Sequence, residues 1–160
     1  EILDISRYNK TDIELYKKNC NIKKIIIDCV NTLRPRLNMY NIKINLDIYD
    51  KELYIDEKRT CDVILNIIDN CIKHSECNNI YFTMDLNYNN VLHIIDDGQG
   101  ICEEDIHKIF EPFYKGRQST SKSSGSGLGL NICKTIIEKQ GGSIKLKSQK
   151  GVGTEIIIKF

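Results

Sequence analysis

The sequence contains no run of about 18 apolar residues, the length at which a segment becomes a candidate for crossing a bilayer. Its first residues also lack the basic and then apolar order of a signal peptide, so we expect a cytosolic protein. The 23 Lys and Arg residues nearly balance the 22 Asp and Glu residues. This balance creates no overall field that attracts polyanions, and it disfavours nucleic acid as a partner.

The seven cysteines include no CxxC pair, and their number is odd. Metal ligation needs clustered spacing, and a disulfide framework usually has an even number of cysteines. Several of these residues fall on apolar faces of predicted helices, where free cysteine behaves as a small hydrophobic residue. We therefore expect reduced, buried thiols rather than a zinc site or a set of disulfides. The seven are Cys20, Cys29, Cys61, Cys71, Cys77, Cys102 and Cys133.

Length and apolar spacing predict one domain that contains both helices and strands. A chain of 160 residues is long enough for a single sizeable core. Apolar residues repeat about every 3.6 positions in the predicted helices and every two positions in the predicted strands. Pro35 is expected to strain the last turn of the first helix. The predicted helices cover 22–37, 56–75, a short segment from Glu103, and 128–139. The predicted strands cover 42–48, 80–86, 91–95, 143–148 and 154–160, with a turn at 87–90.

Four polar residues share one face of the helix predicted over 56–75. Asn66, Asn70, Lys73 and His74 lie opposite the apolar stripe of that helix. Such a face is ordinarily just solvated. Two amide oxygens one turn apart can also offer neutral ligands to magnesium, and a lysine beside them can contact a phosphate. The predicted apolar stripe consists of Cys61, Ile64, Leu65, Ile68 and Ile72.

Asp96 ends a predicted strand and is followed by Gly98 and Gly100. A tight Asp-Gly turn explains this pattern as well as a binding site does. In a binding site, the carboxylate would accept a hydrogen bond from the amino group of adenine, and the glycines would let the ring approach the backbone. Thr154, which follows Gly153, is a candidate second hydroxyl in the same pocket.

The glycine-rich segment 125–130 precedes a predicted helix but lacks the Lys-Ser/Thr of a P-loop. Free amides and the positive end of that helix are suited to phosphate oxygens. Phe110 and Phe113 lie just before this segment. We expect each ring to make core contacts. The same contacts could anchor one end of a nucleotide lid. Lys115 is either a solvated charge or a phosphate contact made when the lid closes.

Taken together, these segments resemble the ATP-binding catalytic domain of bacterial sensor histidine kinases. That domain belongs to the Bergerat-fold superfamily, which includes type II topoisomerases and the large heat-shock chaperones. Residues 66–74 resemble the asparagine box, 96–100 the first glycine box, 110–113 the phenylalanine box, 125–130 the second glycine box, and 151–154 the closing Gly-x-Gly-Thr. Residues 3–7 are similar to the end of the second dimerisation helix.

The resemblance implies an α+β fold, a two-layer sandwich. In it, a mixed, mostly antiparallel sheet of about five strands carries about three helices on one face, together with a flexible ATP lid at 114–126. Residues 1–19 would be the end of the dimerisation helix and a linker, and residues 20–160 the catalytic domain. The implied cofactors are ATP and Mg²⁺, with Asn70 as the metal ligand and Asn66 and Lys73 as catalytic residues. The implied nucleotide contacts are Asn66, Asn70, Lys73, His74, Asp96, Gly98, Gly100, Ile101, Phe110, Phe113, Lys115, Gly125, Gly127, Leu128, Gly129, Leu130 and Thr154.

The same resemblance implies partners outside this sequence. These are an upstream dimerisation domain with the phosphoacceptor histidine, and the receiver domain of a response regulator. The full-length protein would be a homodimer and membrane-bound, as sensor kinases commonly are. This fragment would be a monomer that cannot autophosphorylate alone. The chain departs from the family at Cys71, where a small residue is common. His93 and His107 are expected to be a strand residue and a surface residue. Two alternatives stay open: a nucleotide-binding module without transfer activity, and a serine kinase of the anti-sigma-factor type.

Overall fold

Helices cover one face of a five-stranded sheet in a computed structural model that describes residues 13–85, 90–116 and 126–160. In these ranges the helices are α1 (Ile22–Met39), α2 (Glu57–Asn70), α3 (Glu103–Ile106) and α4 (Gly129–Lys139). The strands are β1 (Lys18–Asn21), β2 (Lys43–Asp47), β3 (Glu52–Ile55), β4 (Asn79–Met84), β5 (Val91–Asp96), β6 (Ser143–Gln149) and β7 (Gly153–Lys159). A π-helical turn over Cys71–Ser75 directly continues α2.

The larger sheet has the strand order β2-β4-β5-β7-β6. β2 runs parallel to β4, and the other neighbouring pairs are antiparallel. The predicted mixed, mostly antiparallel sheet of five strands is therefore confirmed, as is the two-layer α+β arrangement. The antiparallel register places Asp96 of β5 opposite Thr154 of β7, so two residues 58 positions apart in sequence meet at one end of the sheet.

The core lies between the sheet and the three long helices, because alternate residues of the central strands point to the same side. In β5, Leu92 and Ile94 are buried, whereas the residues that alternate with them, Val91, His93 and Ile95, are only partly covered. α2 packs against both α1 and α4. The hydrophobic residues of the larger sheet with no more than 6% exposure are Ile80, Phe82, Leu92, Ile94, Ile156 and Ile158.

α1 begins at a side-chain cap and continues beyond its proline. Oδ1 of Asn21 accepts a hydrogen bond from the Lys24 amide at 3.1 Å. Pro35 lies inside the helix, which ends at Met39, two residues later than the range predicted from spacing. The buried side chain of Leu37 holds this last turn against the core.

α2 begins where the sequence predicts. Oδ1 of Asp56 accepts a hydrogen bond from the Arg59 amide at 2.9 Å, and its Oδ2 accepts one from the Tyr16 amide at 2.7 Å. The apolar face of α2 is wider than predicted. Ile64 and Ile68 are fully buried as expected and Ile72 is nearly so, but Cys61 and Leu65 are only half-buried. Val63, Ile67 and Cys71 complete the buried face instead.

A second, two-stranded sheet formed by β1 and β3 is absent from the sequence-based prediction. Each of these strands has four residues, which is too short for a clear alternation to emerge. The predicted boundary between residues 19 and 20 falls within β1, and it stays a prediction. The predicted dimerisation-helix end at 3–7 and most of the turn at 87–90 lie outside the described residues.

The two histidines outside the predicted site lie where they are expected, His93 in a strand and His107 at the surface. His93 is half-buried in the middle of β5, with its Nδ1 2.8 Å from Oε1 of Glu155. His107 follows α3 and is exposed. Across the described part of the chain, no helix combines the length and the apolar character that crossing a bilayer requires.

The cysteines agree with the expected role as small buried hydrophobic residues. All seven lie within the described residues and are free thiols, and five are buried. Burial raises the pKa of the Cys133 thiol to about 12, so this residue stays protonated at neutral pH. Cys61 and Cys102 are the two that are only partly covered.

Candidate functional site

The polar face of α2 meets the first residue of α4. Nδ2 of Asn70 lies 3.4 Å from Oδ1 of Asn66, one helical turn earlier. A Cβ atom added at Gly129 would lie 2.6 Å from that same Oδ1, so the Asn66 side chain fills the space beside Gly129. The two amides and the amino-terminal end of α4 therefore form one polar surface, as the sequence predicts.

Lys73 and His74 lie in the π-helical turn that follows α2. Nζ of Lys73 is 2.6 Å from Oδ2 of Asp69, and Arg36 from α1 also binds this carboxylate. Lys73 is exposed, and its ammonium group is engaged in this ion pair. The half-buried His74 has its pKa lowered, first by burial and then by the positive charge of Lys73, which favours the neutral imidazole at pH 7.

The π-helical turn is bound to the loop that follows β5. The Gln99 amide donates to the Ser75 carbonyl at 2.7 Å, and Nε2 of Gln99 donates to the His74 carbonyl at 2.5 Å. The turn ends at Glu76, which has a left-handed backbone with φ 54°. These bonds occupy carbonyls that a helix end otherwise leaves without intrahelical partners, and they fix the end of α2 relative to Asp96.

Asp96 is a buried carboxylate at the end of β5, with 6% exposure. Its Oδ1 accepts a hydrogen bond from the Gly98 amide at 2.9 Å, and its Oδ2 lies 3.8 Å from Sγ of Cys71. Burial raises the pKa of the Asp96 carboxyl group, and the donors at Gly98, Cys71 and Thr154 offset part of this effect. The site therefore presents an oriented acceptor in a low-dielectric environment, where a matching amino group is strongly favoured.

The glycines near Asp96 are required by packing within the chain. A Cβ atom at Gly98 would lie 2.1 Å from the Ser75 carbonyl oxygen, and one at Gly100 would lie 2.1 Å from that of Gln149. Gly100 also has φ +67°, which L side chains rarely adopt. Backbone fills the position that a Cβ atom would take at these two residues, so packing within the chain by itself requires glycine there. The approach of a ring to their backbone stays a prediction.

A hydroxyl pair lies next to Asp96, at the end of the β6–β7 hairpin. Oγ of Ser148 is 2.9 Å from Oγ1 of Thr154, and it accepts a hydrogen bond from the Ile101 amide at 2.8 Å. Thr154 and Ile101 therefore lie together as predicted. Ser148 joins them, and the sequence analysis missed it because strand register alone brings it to this position.

The segments around the phenylalanines and the second glycine box are also adjacent. The Phe113 amide donates to the Gly127 carbonyl at 2.9 Å, and a Cβ atom at Gly127 would lie 2.8 Å from the Phe113 carbonyl carbon. Phe110 packs on the core, as expected. Phe113 is 65% exposed, so its interpretation as a core contact is wrong.

The remaining predicted positions divide between the core, the surface and the part of the chain that is not described. Leu128 is buried at the start of α4, and Leu130 packs partly against the core. Lys115 is exposed. Gly125 and most of the predicted lid at 114–126 lie outside the described residues.

Comparison with known proteins identifies the family. The family described as histidine kinase-, DNA gyrase B- and HSP90-like ATPase matches residues 55–160, well over half of the chain. The chain belongs to this ATPase family. A domain of this family binds ATP, and the matched residues include Asn66, Asn70, Asp96 and the start of α4.

Relatives of this ATPase domain include sensor proteins. The sensor protein SrrB of Staphylococcus aureus is 32% identical over 164 residues, which span 100% of this chain and 28% of SrrB. The chain therefore spans just over a quarter of the length of the curated relatives it matches. Several strains of this species carry the same relative.

Solved structures agree with the observed fold. The catalytic domain of the histidine kinase ThkA is 28% identical, with a TM-score of 0.75, over 91% of this chain and 95% of that domain. The histidine kinase AdeS of Acinetobacter baumannii has a TM-score of 0.79 at 24% identity, over 99% of this chain and 74% of that one, and supports the fold alone.

Proposed function

We propose that this chain is the ATP-binding catalytic domain of a sensor histidine kinase. It positions ATP and magnesium for phosphoryl transfer to a histidine on a separate dimerisation domain. The observation that carries this proposal is that α2 presents the amides of Asn66 and Asn70 beside the amino-terminal end of α4, while the next residue, Cys71, contacts the buried acceptor Asp96. The sequence likeness to sensor proteins and to a histidine kinase catalytic domain supports it.

Asp96 would recognise the adenine end of the nucleotide. Its ionised carboxylate is a hydrogen-bond acceptor, so it favours the 6-amino group of adenine and disfavours the carbonyl that guanine has at that position. Thr154 and Ser148 place hydroxyl groups beside Asp96. The donors that fix Asp96 come from the protein itself, so the acceptor is oriented before the nucleotide binds.

The phosphate chain would lie at the start of α4. Amides in the first turn of a helix have no intrahelical partners, and the helix dipole favours negative charge at this end. α4 has 11 residues, and no Asp or Glu lies in its first turn. Gly127, Leu128, Gly129 and Leu130 would provide the backbone amides, and Gly125 and Lys115 would join them from the lid.

The donor set of α2 fits magnesium. Amide oxygens of Asn70 and Asn66 are hard, neutral ligands, and magnesium commonly takes the rest of its coordination from water and phosphate oxygens. We assign Asn70 as the ligand. Magnesium bound with ATP would neutralise phosphate charge and help to align the terminal phosphate for in-line attack. Asn66 would hold the attacking group, and Lys73 would contact the phosphates once it leaves Asp69.

The partners of the whole protein follow from the same proposal. An upstream dimerisation domain would supply the histidine, making the full-length protein a homodimer and this fragment a monomer. A response regulator would receive the phosphoryl group, because the structure of ThkA in complex with the response regulator protein TrrA aligns with 99% of this chain at 25% identity and a TM-score of 0.79. The domain would act on the cytosolic side of a membrane-bound sensor.

Calorimetric titration of this domain with a nonhydrolysable ATP analogue, with and without magnesium, tests the nucleotide site. We expect saturable binding that Asp96→Asn abolishes. Asp97→Asn is the matched control, because this neighbouring carboxylate is exposed and accepts hydrogen bonds from the Asn78 and Asn79 amides at 2.8 Å. Absence of binding by the unaltered domain would contradict the proposal.

The kinase step needs the complete sensor protein. Incubation with ATP is expected to produce acid-labile phosphohistidine, and Asn70→Asp is expected to abolish it. Phosphoserine on a partner protein would instead favour the anti-sigma-factor type of kinase. Nucleotide binding without any phosphohistidine would favour a binding module without transfer activity.

A further inference from the structure

We propose that the Cys71 thiol is a positioning and specificity-determining group for this site, holding the Asp96 carboxylate in the orientation that accepts the adenine amino group. This inference rests on the proposed function, because it concerns the same nucleotide site. Cys71 is the position at which the chain departs from the family, where a small residue is common.

The geometry places the thiol on one specific oxygen. Sγ of Cys71 lies 3.8 Å from Oδ2 of Asp96, within the range of a sulfur hydrogen bond, while the Gly98 amide binds Oδ1 at 2.9 Å. Both carboxylate oxygens are therefore held, one by the loop after β5 and the other by the turn after α2. Together with the Thr154 backbone donor in β7, these two anchors restrict rotation of the carboxylate about its terminal torsion, which is otherwise soft.

The protonation states make Cys71 a donor. A neutral thiol has one S–H donor, and the ordinary pKa of cysteine lies above neutral pH. A carboxylate is acceptor-only when ionised, which fixes the direction of the hydrogen bond from Cys71 to Asp96. The pair is dry, since Cys71 is 7% and Asp96 6% exposed.

The π-helical turn holds the two residues in register. Oγ of Ser75 donates to the Cys71 carbonyl at 2.8 Å, and the Ser75 carbonyl accepts from the Gln99 amide at 2.7 Å. The loop that carries Gln99 begins directly after Asp96. Thiol and carboxylate are therefore tied to one hydrogen-bonded unit, and the distance between them is set by backbone bonds rather than by flexible side chains.

Ligand discrimination separates a positioning role from a merely structural one. ADP has the 6-amino group that Asp96 would accept, whereas IDP has a carbonyl there. A variant that only loosens the fold weakens both nucleotides alike. A variant that misorients Asp96 weakens ADP and leaves IDP unchanged, so the ratio of the two Kd values reports the orientation of the carboxylate.

We would titrate Cys71→Ala and Cys71→Ser with ADP by calorimetry and with IDP by competition. We expect Cys71→Ala to weaken ADP about fivefold with IDP unchanged, the size of effect typical for one hydrogen bond. Cys71→Ser keeps a donor at the same place and is expected to restore the preference for ADP. Cys133→Ala, a fully buried thiol in α4 whose Sγ contacts the Val63 carbonyl, is the control and should leave the ratio unchanged.

The outcomes separate this inference from the proposed function. If the unaltered domain binds ADP no better than IDP, the adenine-recognition role of Asp96 fails, and this inference fails with it. If the preference is present and Asp96→Asn removes it, but Cys71→Ala retains it in full, the site stands and the role of Cys71 is refuted. Equal weakening of ADP and IDP in Cys71→Ala would also refute it.

Discussion

Lys73 forms an ion pair with Asp69, which lies one turn earlier along the same helical segment. Oδ2 of Asp69 is 2.6 Å from Nζ of Lys73. Arg36 binds the other oxygen of this carboxylate from α1. Burial alone would raise the pKa of Asp69, but the hydrogen bonds from Lys73 and Arg36 outweigh it and lower that pKa. Asp69 therefore stays ionised and competes with a phosphate for the lysine.

Asp69→Asn is expected to tighten nucleotide binding about threefold, because it releases Lys73 from a partly exposed ion pair of modest strength. The same change costs less than about 1 kcal/mol of folding stability, since the Arg36 pair is also partly exposed. Calorimetric titration with an ATP analogue measures the first effect, and thermal unfolding measures the second.

Asp62→Asn is the matched control for that release. It removes a carboxylate from the same helix, where Asp62 pairs with Arg59 at 3.6 Å. Nucleotide affinity should stay unchanged in this variant. Weaker binding in Asp69→Asn would mean that Asp69 supports the site rather than restraining Lys73.

Asp96→Asn is expected to make the nucleotide-free domain more stable at pH 7. Burial raises the folded-state pKa of Asp96 above its ordinary value of 3.8, so its stabilising contribution exists below that value and is lost as pH rises through the folded pKa. The asparagine variant avoids this loss. Thermal unfolding at pH 7 and pH 4 should show the advantage of the variant shrinking at the lower pH.

The neighbouring Asp97 should behave in the opposite way. Although its partial burial raises the pKa, hydrogen bonds from Asn79 and Asn78 outweigh that effect and lower it. Its contribution is therefore present above the ordinary pKa, so Asp97→Asn should lose stability at pH 7. The same sign of change in both variants would contradict the assigned environments.

Nucleotide affinity is expected to fall in acid. The ionised carboxylate of Asp96 is a stronger acceptor for the amino group than the protonated acid, so binding weakens as pH decreases through the raised pKa of Asp96. His74 gains positive charge as pH falls, which would strengthen phosphate binding. Titrations of the unaltered domain and His74→Gln across this range separate the two, because the acid loss should persist in the variant while any gain from His74 vanishes. Loss of affinity on raising the pH instead would refute the role of Asp96.

Sequence patterns predict the layers of this fold because each long element buries one face. The alternation that makes Leu92 and Ile94 inward residues is visible in the sequence, and so is the 3.6-residue spacing of Ile64 and Ile68. The motifs also place Asn66 and Asp96 at a common site. The structure joins the end of α2 to β5 through Cys71 and Asp96, and the shared site of Asn66 and Asp96 stays a prediction.

Side-chain partners were less predictable. The position of Lys73 depends on its ion pair with Asp69. Arg36 of α1 binds the same Asp69 carboxylate, although the two residues are 33 positions apart in sequence. Ser148 joins the site through strand register, and the π-helical turn follows from bonds to Gln99. Such features depend on tertiary contacts, and periodicity contains no information about them.

Gly98→Ala is expected to cost about 2 kcal/mol or more of folding stability, the cost of overpacking a tight backbone contact. The added methyl group would lie 2.1 Å from the Ser75 carbonyl oxygen and 2.7 Å from its Cβ, so the loop must move. Because the same loop carries the bond from Gly98 to Asp96, the variant should also lose nucleotide affinity. Chemical denaturation and calorimetry measure the two effects.

Gly141→Ala is the control for that substitution. Gly141 has φ +89° but no atom within 4 Å of an added Cβ, so only the strained backbone conformation is penalised. We expect a loss of about 1 kcal/mol, with nucleotide affinity unchanged. If Gly98→Ala retained full affinity and stability, the contact between the loop after β5 and the π-helical turn would not be what positions Asp96, and the orientation of the adenine acceptor would have to come from β5 and β7 alone.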